Sequence, residues 1–180
     1  MNQILFQIIF LLSKLPFKIL YFISDFIFFI LYYVIRYRKK VVLENLKNSF
    51  PEKSDQEIKK ISKKFYHNFS DYIVETLKAF SISDDVLHKK LEHVNLEIFE
   101  ESHKKQKNVM LLSGHVFNWE WFNSLATLIP QEKCFPIYRK MQSQFWEEKI
   151  KKITGRYAYV AFFVVVLLIH SLLLIYKKKI

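Results

Sequence analysis

A histidine and a carboxylate lie five residues apart in the chain, at His115 and Glu120. An imidazole takes a proton from a hydroxyl near neutral pH, and a carboxylate holds its other nitrogen and stabilises the imidazolium. The pair predicts general base catalysis on a hydroxyl that the substrate supplies. Arg139 could bind a phosphate or carboxylate of a substrate. A zinc site is disfavoured, because the second histidine of a zincin helix is missing from this motif.

The elements around this pair predict an α/β fold. Residues 109–112 form a short apolar run bounded by polar residues, which is typical of a buried strand. Asn118 could cap a helix that runs through residue 125, and residues 134–138 are a second strand candidate. Strand, helix and strand in this order indicate a parallel unit with its ligands at the carboxyl ends of the strands, where His115 would lie.

A long helix is predicted between residues 51 and 80. Ser54 and Glu57 have the spacing of a capping box. The apolar residues that follow at helical spacing predict a buried face made of Ile58, Ile61, Phe65, Phe69, Tyr72 and Ile73. The other side carries Lys59, Lys60, Lys63 and Lys64, which fit either a solvated face or contact with anionic lipid headgroups. Shorter helices are expected at about 84–91 and 96–104.

Both ends of the chain are apolar. Residues 4–12 and 19–35 are separated by an interruption with two lysines and a proline, and a basic cluster follows at 36–40. The second stretch is just long enough to span a bilayer, which predicts a membrane-embedded or tilted anchor, with a buried core helix as the alternative. Asp25 is costly at mid-depth, so it should face protein, carry a proton or mark an in-plane helix.

The second apolar end, residues 157–176, has 20 residues without a charge and is a further candidate for a transmembrane helix. The chain has 180 residues and a net charge of +11, which predicts an anionic partner. Nucleic-acid binding rests on that charge alone, and the two apolar ends argue against it. A single cysteine, Cys134, excludes an intramolecular disulfide framework and a multi-cysteine zinc module.

Residues 112–120 resemble the block of a histidine followed five residues later by an acid in the lipid A biosynthesis acyltransferases. This lauroyl/myristoyl acyltransferase family belongs to the lysophospholipid acyltransferase superfamily. The similarity extends over the apolar N-terminal anchor, the long helix that reaches Glu75, and the shorter segments 37–38, 45–52, 94–97 and 138–140. A combination of segments is more specific than His115 and Glu120 alone.

The resemblance implies a membrane-anchored O-acyltransferase of the αβα type at the bacterial inner membrane, with its catalytic part on the cytoplasmic side. Such an enzyme moves a fatty acyl chain from acyl carrier protein or acyl-CoA to a hydroxyl of a lipid A precursor or related glycolipid. His115 would be the base and Glu120 its support, and Arg139 and Asn118 would bind substrate. Neither a metal nor a cofactor is expected, and the partners would be membrane lipids, the acceptor and the carrier protein.

Two departures from the family pattern affect this interpretation. Phe117 stands where many members have glycine, so the turn around the site is expected to differ. After Gly155 the further globular stretch of the family is replaced by the apolar residues 157–180. We therefore predict an anchor over 1–40, a partial catalytic domain over 41–156, and a tail over 157–180 that marks a truncated or frame-altered product. The alternative function is an inactive fragment or a non-catalytic membrane-associated protein.

Overall fold

The computed structural model describes residues 2–112, 118, 121–129 and 142–154, which belong to two compact units. The first unit covers Gln3–Ser81 and the second begins at Ile82. The helices of the first unit are α1 (Asn2–Ser13), α2 (Phe17–Phe29, continued by a π-helical turn over Ile30–Val34), α3 (Lys39–Ser49) and α4 (Asp55–Lys78). Those of the second are α5 (Asp84–Lys90), α6 (Glu97–Lys104), a 3-10 turn (Trp121–Ser124), α7 (Leu125–Leu128) and α8 (Gln144–Thr154).

The two apolar N-terminal segments are helices, α1 and α2, with Pro16 at the N-cap of α2. A proline is well placed there, because the first turn of a helix leaves its amide without an intrahelical partner. The ammonium group of Lys78 donates to the carbonyls of Ser13 and Leu15, both at 3.0 Å. Burial lowers the pKa of Lys78 below its ordinary value. This lysine therefore fastens the turn between α1 and α2 to the end of α4.

A helical stretch long and apolar enough to cross a membrane, by length and composition, occurs once in the described part of the chain, at Phe17–Val34. A tight turn follows it, in which Arg36 and Arg38 have positive φ angles of 52° and 50°. The hydroxyl of Tyr66 in α4 donates to the carbonyl of Tyr37, and the ammonium of Lys39 lies 3.7 Å from the centre of the Tyr32 ring. These contacts hold two arginines in a conformation that costs free energy for any residue other than glycine.

The predicted capping box of α4 is confirmed. The amide of Glu57 donates to the Ser54 hydroxyl at 3.4 Å, and the amide of Ser54 donates to the Glu57 carboxylate at 2.9 Å. Two amides that have no partner within the helix are satisfied in this way. The helix therefore begins where the sequence predicts.

The buried face of α4 differs from the prediction. Its fully buried residues recur every four positions and are Ile58, Ser62, Tyr66, Ser70 and Val74. Ile58 was expected there, but the side chain of Phe65 is 45% exposed. Two of the five are serines, whose side chains occupy little volume. The contact face of α4 therefore alternates two serines with Ile58, Tyr66 and Val74.

Replacing Ser54 with alanine is expected to lower the free energy of unfolding of the first unit by about 1 kcal/mol, because the cap acceptor is lost. Denaturant unfolding followed by circular dichroism in detergent would measure the change. Ser83 offers a matched control, because the structure describes it as the N-cap of α5 without a side-chain cap hydrogen bond. Ser83→Ala should leave the free energy of unfolding of the first unit unchanged, and if Ser54→Ala does so too, the capping box does not stabilise α4.

The buried strand predicted at residues 109–112 is not present in the structure. These four residues lie in no regular element, and all four side chains are exposed, Met110 by 83%. A strand needs a neighbour for its backbone hydrogen bonds, and the second strand candidate, 134–138, lies outside the described residues. Every described element is a helix or a helical turn, so the α/β fold stays a prediction. The predicted helices at 84–91 and 96–104 are confirmed as α5 and α6.

Candidate functional site

Of the four predicted site residues, Asn118 lies in the described part of the chain, whereas His115, Glu120 and Arg139 lie outside it. The tail at 157–180 also lies outside. Asn118 is half-buried, and its carbonyl accepts the amide of Trp121 at 3.1 Å. In the described residues the helix predicted after Asn118 is present as the 3-10 turn Trp121–Ser124 followed by α7.

The segment that follows the His115 block is a core element of the second unit. Its buried residues are Trp121, Ser124, Leu125, Ala126 and Ile129. Burial of a leucine or isoleucine side chain, such as those of Leu125 and Ile129, contributes about 1.5–3 kcal/mol relative to exposure. The chain immediately after the block is therefore anchored by its own side chains.

Two histidines from earlier in the chain form hydrogen bonds with residues 121–129. The Nε2 atom of His93 lies 3.1 Å from the Ser124 hydroxyl, and Nε2 of His88 lies 2.9 Å from the Thr127 hydroxyl. The Thr127 hydroxyl in turn donates to the carbonyl of Ser124 at 2.7 Å. Neither histidine was predicted to have a role, because their spacing in the sequence carries no signal. They hold in place the turn that follows the predicted catalytic residues.

A pH dependence follows from His93. Burial foremost, and then the charge of His88, lower the pKa of His93 below its ordinary value of 6.5. The folded state therefore favours the neutral His93 ring. The contribution of this ring to the free energy of unfolding is complete above pH 6.5 and is lost as the pH falls through the lowered pKa. Wild-type protein is expected to lose stability between pH 7.5 and 5, and His93→Gln to lose less over that interval.

Tryptophan fluorescence measures this prediction selectively, because all three tryptophans of the chain belong to the second unit. Denaturant unfolding curves at a series of pH values give the free energies. His103→Gln, at an exposed histidine of α6, is the matched control and should keep the wild-type slope. Equal slopes for wild type and His93→Gln would assign the pH dependence to other groups.

The first unit contains a polar cluster between α2 and α4. The two ring nitrogens of His67 lie 3.1 Å from an Asp25 oxygen and 3.2 Å from an Asp71 oxygen. The hydroxyl of Ser24 donates to Asp71 at 2.6 Å, and that of Tyr21 donates to Glu75 at 2.9 Å. Both ring nitrogens of His67 therefore face a carboxylate oxygen, one on each helix.

Asp25 contacts His67 of α4, although its side chain is 65% exposed, so the choice among facing protein, carrying a proton and marking an in-plane helix stays a prediction. The four-residue spacing of His67 and Asp71 on one helix predicts their mutual contact, but no such signal exists for the contact of His67 with Asp25. The described residues contain no group of three or more histidine, cysteine, aspartate or glutamate side chains that could hold a metal ion. The contacts of the cluster join α2 to α4.

Comparison with known proteins defines the class of this chain. The family model described as bacterial lipid A biosynthesis acyltransferase matches residues 3–156, which include the whole of the first unit and the His115 block. The chain belongs to this family, which catalyses acyl transfer in lipid A biosynthesis and is typically membrane-associated. No curated protein and no solved structure gives a significant match.

Proposed function

We propose that the chain transfers a fatty acyl group from an acyl thioester, on acyl carrier protein or coenzyme A, to a hydroxyl of a lipid A precursor or related glycolipid. The observation that carries this proposal is the family match, which extends across residues 115–120 and 139. The match supplies the reaction class, and the residue types supply the chemistry.

In the proposed reaction His115 takes the proton of the acceptor hydroxyl as its oxygen attacks the thioester carbonyl. The tetrahedral intermediate collapses, the carbon–sulfur bond breaks, and the thiolate takes the proton back from His115. Glu120 holds the other ring nitrogen and stabilises the imidazolium in between. The acyl group ends as an ester of the acceptor, and the free thiol of the donor leaves.

Arg139 and Asn118 are proposed to bind substrate. A guanidinium forms paired hydrogen bonds with phosphate, which suits the phosphates of a lipid A precursor. The chain has a net charge of +11, which is complementary to an acidic carrier protein and to a phosphorylated glycolipid. We place the enzyme at the inner membrane with its catalytic part on the cytoplasmic side, where acyl thioesters are available.

The proposal is tested with membranes from cells that express the chain. They are incubated with a lipid A precursor and either acyl carrier protein thioester or acyl-CoA, and the acceptor is analysed by mass spectrometry. An acceptor heavier by one acyl group, and restored to its original mass by mild alkali, is expected with at least one donor. Membranes without the chain are the control. If neither donor yields this product, the alternative of a non-catalytic membrane-associated protein replaces the proposal.

A further inference from the structure

Helix α2 and the turn after it expose an apolar face in the first unit. Its members recur every three or four residues, which places them on one side of a helix. We call it the phenylalanine face, and it consists of Ile19, Phe22, Phe26, Phe29 and Tyr33, each between 45% and 75% exposed. Helix α1 adds further exposed apolar side chains at Ile4, Ile8 and Leu11. Contiguous apolar surface of this kind marks an interaction site.

The opposite side of α2 packs against α4. Leu20 and Ser24 are fully buried there, and Ser24 donates to Asp71 of α4. The contacts run antiparallel, from Leu15 with Lys78 at one end to Asp25 with His67 further along. Ionisable groups of α4 therefore accompany the middle of the apolar stretch.

These contacts decide between crossing a bilayer and lying on it. If Phe17–Val34 crossed, Asp25 would lie near the midplane, because it is at the centre of that stretch. His67 and Asp71 would enter the hydrocarbon with it. Ionisable side chains in the hydrocarbon are strongly unfavourable, and α4 is itself too polar to accompany α2 across. A position along the surface keeps all these groups at the level of the headgroups or above.

Basic side chains lie in the same unit as the phenylalanine face, where they could contact anionic lipid headgroups. Lys60, Lys63 and Lys64 are exposed and precede His67 by one or two turns on the same side of α4. At the end of α2, exposed Arg36 and Tyr37 form a basic and aromatic border. Basic and aromatic side chains around an apolar face are typical of helices that lie in the interface of an anionic membrane.

We propose that α1 and α2 lie along the surface of an anionic phospholipid bilayer, with the phenylalanine face among the acyl chains and α4 on the water side. The chain does not cross the membrane at Phe17–Val34, so both ends of α2 stay on one side. This inference deepens the membrane attachment proposed above, and it holds whether or not the chain turns over.

Depth measurements on the full chain in vesicles of phosphatidylethanolamine and phosphatidylglycerol test this orientation. A nitroxide is attached at Ile19→Cys, Phe26→Cys or Tyr33→Cys in a Cys134→Ser background, and its depth is read from collisions with oxygen and a water-soluble nickel chelate. Residues 19 and 33 are about 21 Å apart along a helix. A surface helix gives three similar depths, whereas a crossing helix gives a maximum at residue 26. Phe65→Cys, an exposed phenylalanine of α4 on the side opposite His67, is the control and should be reached by the chelate.

Labelling with a membrane-impermeant maleimide gives a second, independent result. Lys14→Cys and Lys40→Cys place single cysteines before and after α2, at exposed positions. Both are expected to be labelled from the same side of sealed vesicles. Labelling from opposite sides, or a depth maximum at residue 26, would overturn the proposal. Because neither readout needs turnover, loss of acyl transfer with same-side labelling would count against the enzymatic proposal alone.

Discussion

The His115→Ala variant is expected to transfer acyl groups about 10²- to 10⁴-fold more slowly than the wild type, because a general base contributes an acceleration of this size. The effect should fall on kcat, with KM for the acceptor nearly unchanged, since the base acts on the proton in the transition state. The initial rate of acylated acceptor formation, measured at several acceptor concentrations with equal amounts of protein in the membranes, separates the two constants.

The Glu120 variant shows whether the two residues act together. If Glu120 acts only through the imidazole, the double variant His115→Ala with Glu120→Gln should be no slower than His115→Ala alone. Losses that multiply would assign Glu120 a separate role. His103→Ala is the matched control, because this histidine is exposed on α6 and lies outside the motif. A His115→Ala rate within a few-fold of wild type would remove the proposed base.

Local signals in the sequence predicted the helices well. The capping box at Ser54 and Glu57 involves residues three apart, so the amides it satisfies are fixed by the sequence itself. Pro16 likewise separates α1 from α2 through its own restricted geometry. Such features depend on nothing distant in the chain, which is why the structure reproduces them.

Contacts between helices could not be predicted in the same way. Periodicity assigned Phe65 to the buried face of α4, because a large apolar residue is usually buried. The structure buries Ser62 and Tyr66 instead, because the side of α4 that meets its neighbouring helices is set by how the helices cross. The pairing of Asp25 with His67 depends on where two separate helices cross, which no local pattern records.

The candidate site is the part that family resemblance predicted and periodicity did not. Residues 109–112 satisfied the composition of a strand, but strands are stabilised by neighbours that local composition does not specify. The spacing of His115 and Glu120 is common in proteins. It indicates a catalytic pair only in combination with the neighbouring segments that resemble the family. The hydrogen bond between His93 and Ser124 depends on packing of α5 and the residues after it against the 3-10 turn, and so appears only in three dimensions.

Leu20→Ala is expected to destabilise the first unit by about 2–5 kcal/mol, the usual cost of truncating a fully buried leucine. Leu20 is 1% exposed and lies on the side of α2 that packs on α4. Its truncation loses the transfer free energy of three carbons and leaves a cavity between helices that cannot close fully. This is a large share of the about 5–15 kcal/mol that stabilises a typical domain. Denaturant unfolding followed by circular dichroism in detergent micelles would measure it.

Phe22→Ala on the same helix provides the matched comparison, because Phe22 is 75% exposed and lies on the phenylalanine face. In micelles it should change the free energy of unfolding by less than about 0.5 kcal/mol, as exposed positions usually do. For affinity to vesicles we expect the opposite order, with the larger loss for Phe22→Ala. Insertion of Phe22 among acyl chains would stabilise the bound state, whereas the buried Leu20 would not contact lipid. Two variants that affect stability and vesicle affinity in parallel would contradict the separation of α2 into a protein face and a lipid face. Opposite effects would show that α2 has both a protein face and a lipid face, and that different residues determine its stability and its membrane affinity.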